Sequence, residues 1–381
     1  MKSRFCTTAA LAGVCLMAAQ AVPGLAVARV PGKQSEFAVA YQINPAHSGG
    51  IDFSAGFATP LTKLWSTTVS SSLLSYPVVA NGRVFLNDGS VTYALDLGTG
   101  ATKWSKNTGT SIGPAYDNGL IFLVTQGGMV SALSEKSGKT LWSTQVTDQY
   151  FFTSAPMAVK GQVFVGGAGV GGDVYAFDEV SGALKWEQEV ENGDDSSPAF
   201  GDNGIYVSYP QQYYKFDPVT GNLDWHFSGD GEGGGGNTPV YYSKRAYIQD
   251  WTSGNSILDA KTGNVVGTFG ANNGDPPAFW QLADGRKLGF SLYNGTLYGW
   301  KVSSQVNVWS FAGDGGLSTA PIVVNGLVIE GSGSGEVYAL DAGSGTQEWS
   351  DKTAGGVTAL AAGQGTLIVV SGGVVTAYVP Q

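Results

Sequence analysis

One pattern, Asp-x-x-Ser/Thr-Gly-x-x-x-Trp, recurs along the chain and limits what it can fold into. Its clearest setting is Val337 to Trp349. Val337, Ala339 and Asp341 alternate with Tyr338 and Leu340, as on the two faces of a strand. Asp341 and Gly345 then mark a tight turn: the carboxylate can take backbone N–H groups ahead of it, and glycine accepts φ > 0. A second strand carries Trp349. A lone hairpin is not stable, so the unit must be stacked against copies of itself.

Clean copies run Asp96…Gly100…Trp104, Asp178…Gly182…Trp186, Asp217…Gly221…Trp225 and Asp341…Gly345…Trp349. Ser134…Gly138…Trp142 lacks the Asp, Asp259…Gly263 ends on Gly267, and Lys301…Trp309 lacks both Asp and Gly. Trp65 opens the series with no hairpin before it. The steps are about 40 residues, the period of a radial array of small sheets. Pro77, Pro114, Pro156, Pro198, Pro239, Pro277 and Pro321 each precede a pair of short apolar runs, with Leu360 in the eighth place. Proline suits the first residue of a strand. Each unit therefore holds four strands.

These features predict an all-β, eight-bladed β-propeller of four-stranded antiparallel blades. The blades are placed at 76–107, 113–146, 155–190, 197–228, 237–270, 277–312, 319–352, and 357–379 together with 61–69. The lone strand around Trp65 and the incomplete last unit complement one another, so the N-terminal strand is expected to join the C-terminal blade and close the ring. Closure removes edges that would otherwise template aggregation. The 57 glycines, and only 13% charged residues, suit short strands and turns rather than helices.

Residues 1–28 read as a signal peptide, with Lys2 and Arg4 ahead of an apolar run and small-residue sites near Ala21 and Ala28. Residues 29–60 read as a leader, with Tyr41 to Gly50 as a loop crossing one face, and 61–381 as the single propeller. Cys6 and Cys15 both lie in the signal; Val14 before Cys15 argues against lipidation, and the rest of the chain has no disulfide. The formal charge of −10 becomes more negative once the signal is removed. That argues against nucleic acid or an anionic membrane as partner, and no second apolar stretch is long enough to span a bilayer.

The repeated Asp, Gly and Trp resemble the quinoprotein repeat of the PQQ-type β-propellers over nearly the whole chain after the signal. That resemblance implies that Trp65, Trp104, Trp142, Trp186, Trp225, Trp309 and Trp349 dock flat on neighbouring blades. Burying an indole and satisfying its N–H on a neighbouring carbonyl is what physics also asks. Gly267 breaks the series, so the contact between blades 5 and 6 is expected to be looser. One branch of the family comprises alcohol and sugar dehydrogenases with PQQ and usually Ca²⁺. The other comprises shorter, cofactor-free propellers such as the BamB type of outer-membrane assembly factor.

Catalytic chemistry is thinly represented. The ring of paired cysteines often found in the catalytic branch is impossible here, and the connections are short. Asp194, Asp195 and Asp202, or Asp230 and Glu232, are candidate Ca²⁺ ligands, but they match no EF-hand spacing and read better as solvated loop acids. His47 and His226 form no zinc pattern. Trp251, Trp280 and Trp300, with Tyr206, Tyr209, Tyr213 and Tyr214, lie off the docking register. They are candidates for a partner surface on blades 4 to 6, against the alternative of packing between blades. The expectation is a periplasmic or secreted, monomeric, non-catalytic propeller that binds a protein partner in the cell envelope, without cofactor or metal. A small PQQ- and Ca²⁺-dependent oxidoreductase is the alternative.

Overall fold

Each copy of the pattern becomes the outer hairpin of a four-stranded antiparallel sheet. The computed structural model describes residues 34–168, 172–191, 196–209, 211–229, 236–249, 255–270 and 274–381. The signal peptide lies outside these residues. Blade 1 is Val78–Ala80, Arg83–Asn87, Val91–Asp96 and Thr102–Asn107. Blades 2 to 7 follow over 115–145, 157–190, 199–228, 240–268, 278–311 and 322–352. Blade 8 is Val357–Gly363, Thr366–Ser371 and Val374–Pro380, completed by Leu61–Thr68 from the other end of the chain. The closing pair runs antiparallel from Leu61 opposite Pro380 to Thr68 opposite Val374. The protein is thus an eight-bladed all-β propeller closed by its own N-terminal strand.

The turn of the pattern is built as its residues demand. Asp341 Oδ1 accepts the N–H and the hydroxyl of Ser344 at 2.8 and 2.7 Å. Gly345 follows at φ 72°, where glycine alone is unstrained. Asp96, Asp178, Asp217 and Asp259 hold their turns the same way. In the middle strands nearly every apolar side chain is buried, so the core is a set of slabs between successive blades.

Tryptophans link the slabs. The indole N–H of Trp65, Trp104, Trp142, Trp186, Trp225 and Trp309 donates to the carbonyl of Leu97, Glu135, Glu179, Pro218, Ala260 and Ala342 in the next blade, at 2.8 to 3.2 Å. Trp349 donates to Leu61 O at 3.0 Å across the closure. Each of these acceptors but Leu61 directly follows the pattern's Asp position, so the turn that ends one hairpin also receives its neighbour.

The Tyr41–Gly50 region is not a loop over one face. Residues 36–51 run inside the ring and bond in turn to its inner strands. Ala38 pairs with Val79, and Val39, Pro45, Ala46, Ser48 and Gly49 accept the amides of Tyr116, Phe200, Tyr241, Phe279 and Val323. Gln364 of blade 8 donates to Glu36 O. Among the described residues, blade 3 alone has no such bond. His47 is fully buried, with ring nitrogens 2.7 Å from Tyr41 O and 2.9 Å from Pro198 O. Backbone groups of an inner strand need partners when buried, and the leader supplies them.

Candidate functional site

The inner segment divides the channel into two mouths. One is a funnel of about 470 Å³ ringed by the residues that lead into the inner strands: Ser75 and Tyr76, Ser111, Ser154, Ser197 and Thr238. These hydroxyls stand one to three residues before the strand-opening prolines Pro77, Pro114, Pro156, Pro198 and Pro239. Tyr41 from the inner segment faces this mouth, its ring 5.2 Å from that of Tyr76. The other mouth, about 590 Å³, lies between Phe37, Val39 and Ile43 of the segment and the inner ends of blades 2 and 3.

The ionisable groups near the funnel are acids held off their ordinary behaviour. Burial pushes Asp275, between the lining residues Gly274 and Pro276, up to about 6. Glu330 is wholly buried and lies well above the carboxylate range, first through burial and further through the charge of Asp275. Its Oε1 accepts Thr319 N–H, the Thr319 hydroxyl and Gly331 N–H, while Oε2 has no hydrogen-bond partner. Burial likewise lowers the pKa of His47.

PQQ, which the resemblance raises, is a planar quinone carrying three carboxylates and needs cations around it. Among the described residues lining the funnel there is no Lys or Arg. Asp275, which borders the lining, is of the wrong sign once ionised, and burial favours the neutral form of Glu330. These residues do not fit the cofactor.

The candidates for Ca²⁺ fare no better as a group. Asp202 is exposed in a turn of blade 4, and Asp194, Asp195, Asp230 and Glu232 lie outside the described residues. A trio without any sequence signal does come together elsewhere. Carboxylate oxygens of Asp148, Asp173 and Glu187 lie within 4.8 Å of one another at the edge of blade 3. Tyr175 bridges the two aspartates at 3.0 and 3.3 Å. Burial, then the contact with Asp148, raises the Glu187 pKa.

The off-register aromatics are mostly core, which corrects the partner-surface reading. Trp300 is 0% exposed, Tyr209 2% and Tyr213 1%, and Tyr206 and Tyr214 are buried as well. Their strands lie in the middle of a blade, where both faces are covered. Trp300 stacks on Phe269 at 5.7 Å and bonds Ser291, filling the inner part of the slab between blades 5 and 6. That contact is therefore closed from the blade 6 side and not simply looser. Trp280 is half-buried beside Gly50 and Gly326. Trp251 lies outside the described residues.

A family profile described as outer membrane protein assembly factor BamB matches residues 62–150, 87–170, 128–269 and 256–381. The quinone alcohol dehydrogenase, dehydrogenase subunit, of Gluconacetobacter polyoxogenes is 24% identical over 310 residues, 71% of this chain and 38% of that protein. The outer membrane protein assembly factor BamB of Yersinia pestis is 27% identical over 178 residues, 42% of each. The chain thus spans less than half the length of these relatives. The quinohemoprotein alcohol dehydrogenase of Comamonas testosteroni superposes with a TM-score of 0.77 at 16% identity, covering 91% of this chain and 81% of its own. Among the described residues, no helix is long and apolar enough to cross a membrane.

Proposed function

Since the chain belongs to the propeller family described as outer membrane protein assembly factor BamB, we propose that it is a non-catalytic binding ring of the cell envelope whose ligand is another protein. The observation that carries this reading is the funnel lining. Its hydroxyls and backbone groups offer hydrogen bonds to a peptide, and with no Lys or Arg among its described residues and Asp275 beside it, it gives an anionic quinone no counter-charge. A ring built this way has rigid faces, and its inner channel is already filled by residues 36–51. Partner loops then have the faces, the mouths and the blade edges to bind. Residues 1–28, read as a signal peptide, support export to that compartment.

The quinoprotein reading draws on relatives such as the Gluconacetobacter polyoxogenes dehydrogenase subunit, which matches 71% of this chain where the Yersinia pestis assembly factor matches 42%. The test is a dye-linked dehydrogenase assay after addition of PQQ and Ca²⁺, over simple alcohols and aldoses. The binding-ring reading expects no substrate-dependent dye reduction. Turnover with any of these substrates, abolished by omitting PQQ, would replace it with the enzyme reading.

A further inference from the structure

Gly267 stands where the other blades carry a docking tryptophan, and the blade that should receive the indole has changed in step. Gly100, Gly138, Gly182, Gly221, Gly263 and Gly345 each lie under a docked ring; a Cβ added there would come within 2.4 to 2.7 Å of it. The corresponding residue of blade 6 is Gln305, at φ 58°. Its Nε2 donates to Val302 O at 2.8 Å, the carbonyl that an indole from blade 5 would have taken. Trp and Gly have gone together, and the backbone acceptor has been satisfied locally. A Cβ at Gly267 would meet only Ile257, at 3.9 Å.

The outer part of this slab is therefore a groove. Its volume is about 620 Å³, and its floor includes Tyr247, Ile257 and Val302. Four cations stand on its rim: Lys244, Arg245, Arg286 and Lys287. On a chain of formal charge −10 such a cluster is a local reversal of sign. Arg245 is paired with Asp259, and Arg286 with Asp284 at 2.7 Å. Lys244 and Lys287 have no ion pair among the described residues; Lys287 Nζ bonds the Ser243 hydroxyl at 2.6 Å. Two positive charges are thus left for a ligand beside the exposed Val266 and the partly buried Val302, which lie over the buried Tyr247 and Ile257.

We propose that this groove binds an acidic peptide segment of a partner protein. One apolar side chain sits on the floor left by the missing indole, and flanking carboxylates meet Lys244 and Lys287. Charge complementarity selects the partner: on a chain of net negative charge, an acidic segment is steered toward this cluster of cations. A long polyanion such as nucleic acid would leave these cations and meet the acidic surface on either side. The inference rests on the reading of the protein as a binding ring, but it fails separately. PQQ-dependent turnover sinks that reading, whereas a peptide indifferent to the groove sinks only this one.

The experiment is fluorescence anisotropy of a labelled Asp-Glu-Phe-Glu-Asp peptide with the full chain at low salt. Two double variants probe the site. Lys244→Glu with Lys287→Glu reverses the free charge. Gly267→Trp with Gln305→Gly rebuilds the docked pair and fills the groove; a melting temperature at or above that of the parent shows that it folds. The proposal expects binding that weakens at least about tenfold in both, and that weakens likewise when the peptide's Phe is replaced by Gly. Undiminished binding in either variant, equal binding of the Gly peptide, or no binding at all would overturn it.

Discussion

The pairing of tryptophan with glycine across blades predicts a specific energetic coupling. Trp186 is 8% exposed, donates to Pro218 O at 2.9 Å, and lies over Gly221, where an added Cβ would sit 2.7 Å from the ring. Trp186→Ala should cost about 3–5 kcal/mol, as for other large-to-small core changes. Gly221→Ala in the parent faces two penalties. The backbone at φ 73° costs a non-glycine residue about 1–2 kcal/mol, and overpacking against the indole costs about 1–3 kcal/mol more. In the Trp186→Ala background the ring is gone and only the backbone penalty remains. The double variant should therefore be more stable than the sum of the single losses predicts, by about 1–3 kcal/mol. Urea melts at constant m report the differences through the midpoint. Losses that add within about 0.5 kcal/mol would refute the claim that the ring is positioned by its contact with this glycine.

Three further outcomes follow from the same structure. Deleting Leu61–Thr68 removes the strand that closes blade 8 and exposes Val374–Pro380 as an open edge; sedimentation should show aggregation, and a soluble, cooperative monomer would contradict the closure. Trp300→Ala should cost about as much as Trp186→Ala, because Trp300 is fully buried between blades, while the half-buried Trp280→Ala should cost clearly less in the same melts; a reversed order would count against the packing described. Asp275, raised by burial to about 6 from 3.8, adds stability that is full below about pH 4 and lost as the pH rises through 6. Asp275→Asn should therefore stabilise by about 3 kcal/mol at pH 7 and by nothing near pH 4, and a pH-independent difference would show that Asp275 is not the buried acid described.

The architecture was legible because it is written many times. Any one hairpin is ambiguous, but Asp178, Gly182 and Trp186 recur at fixed offsets, and the orphan strand at Trp65 implied the closure. What escaped was carried by the backbone or by single substitutions. Residues 36–51 bond the inner strands through main-chain groups, which any sequence can supply, so nothing in Tyr41–Gly50 announced their place. The exchange at Gly267 and Gln305 was half visible: the missing tryptophan could be seen, but not that Gln305 caps Val302 and that Trp300 fills the slab from the opposite side. The aromatics of blade 4 misled because a propeller buries both faces of its middle strands. Alternation there does not separate inside from outside, and Tyr209 and Tyr213 are core despite their polar tips. The trio of Asp148, Asp173 and Glu187 is assembled from three separate segments, with no local spacing to betray it.

We propose that the funnel does not accept an anionic quinone. Isothermal titration of the full chain with PQQ in the presence of Ca²⁺ tests it directly. A lining of hydroxyls and backbone groups with no Lys or Arg among its described residues, bordered by Asp275, predicts no saturable heat. Tight one-to-one binding, lost when the residues around Ser197 and Thr238 are changed, would contradict it.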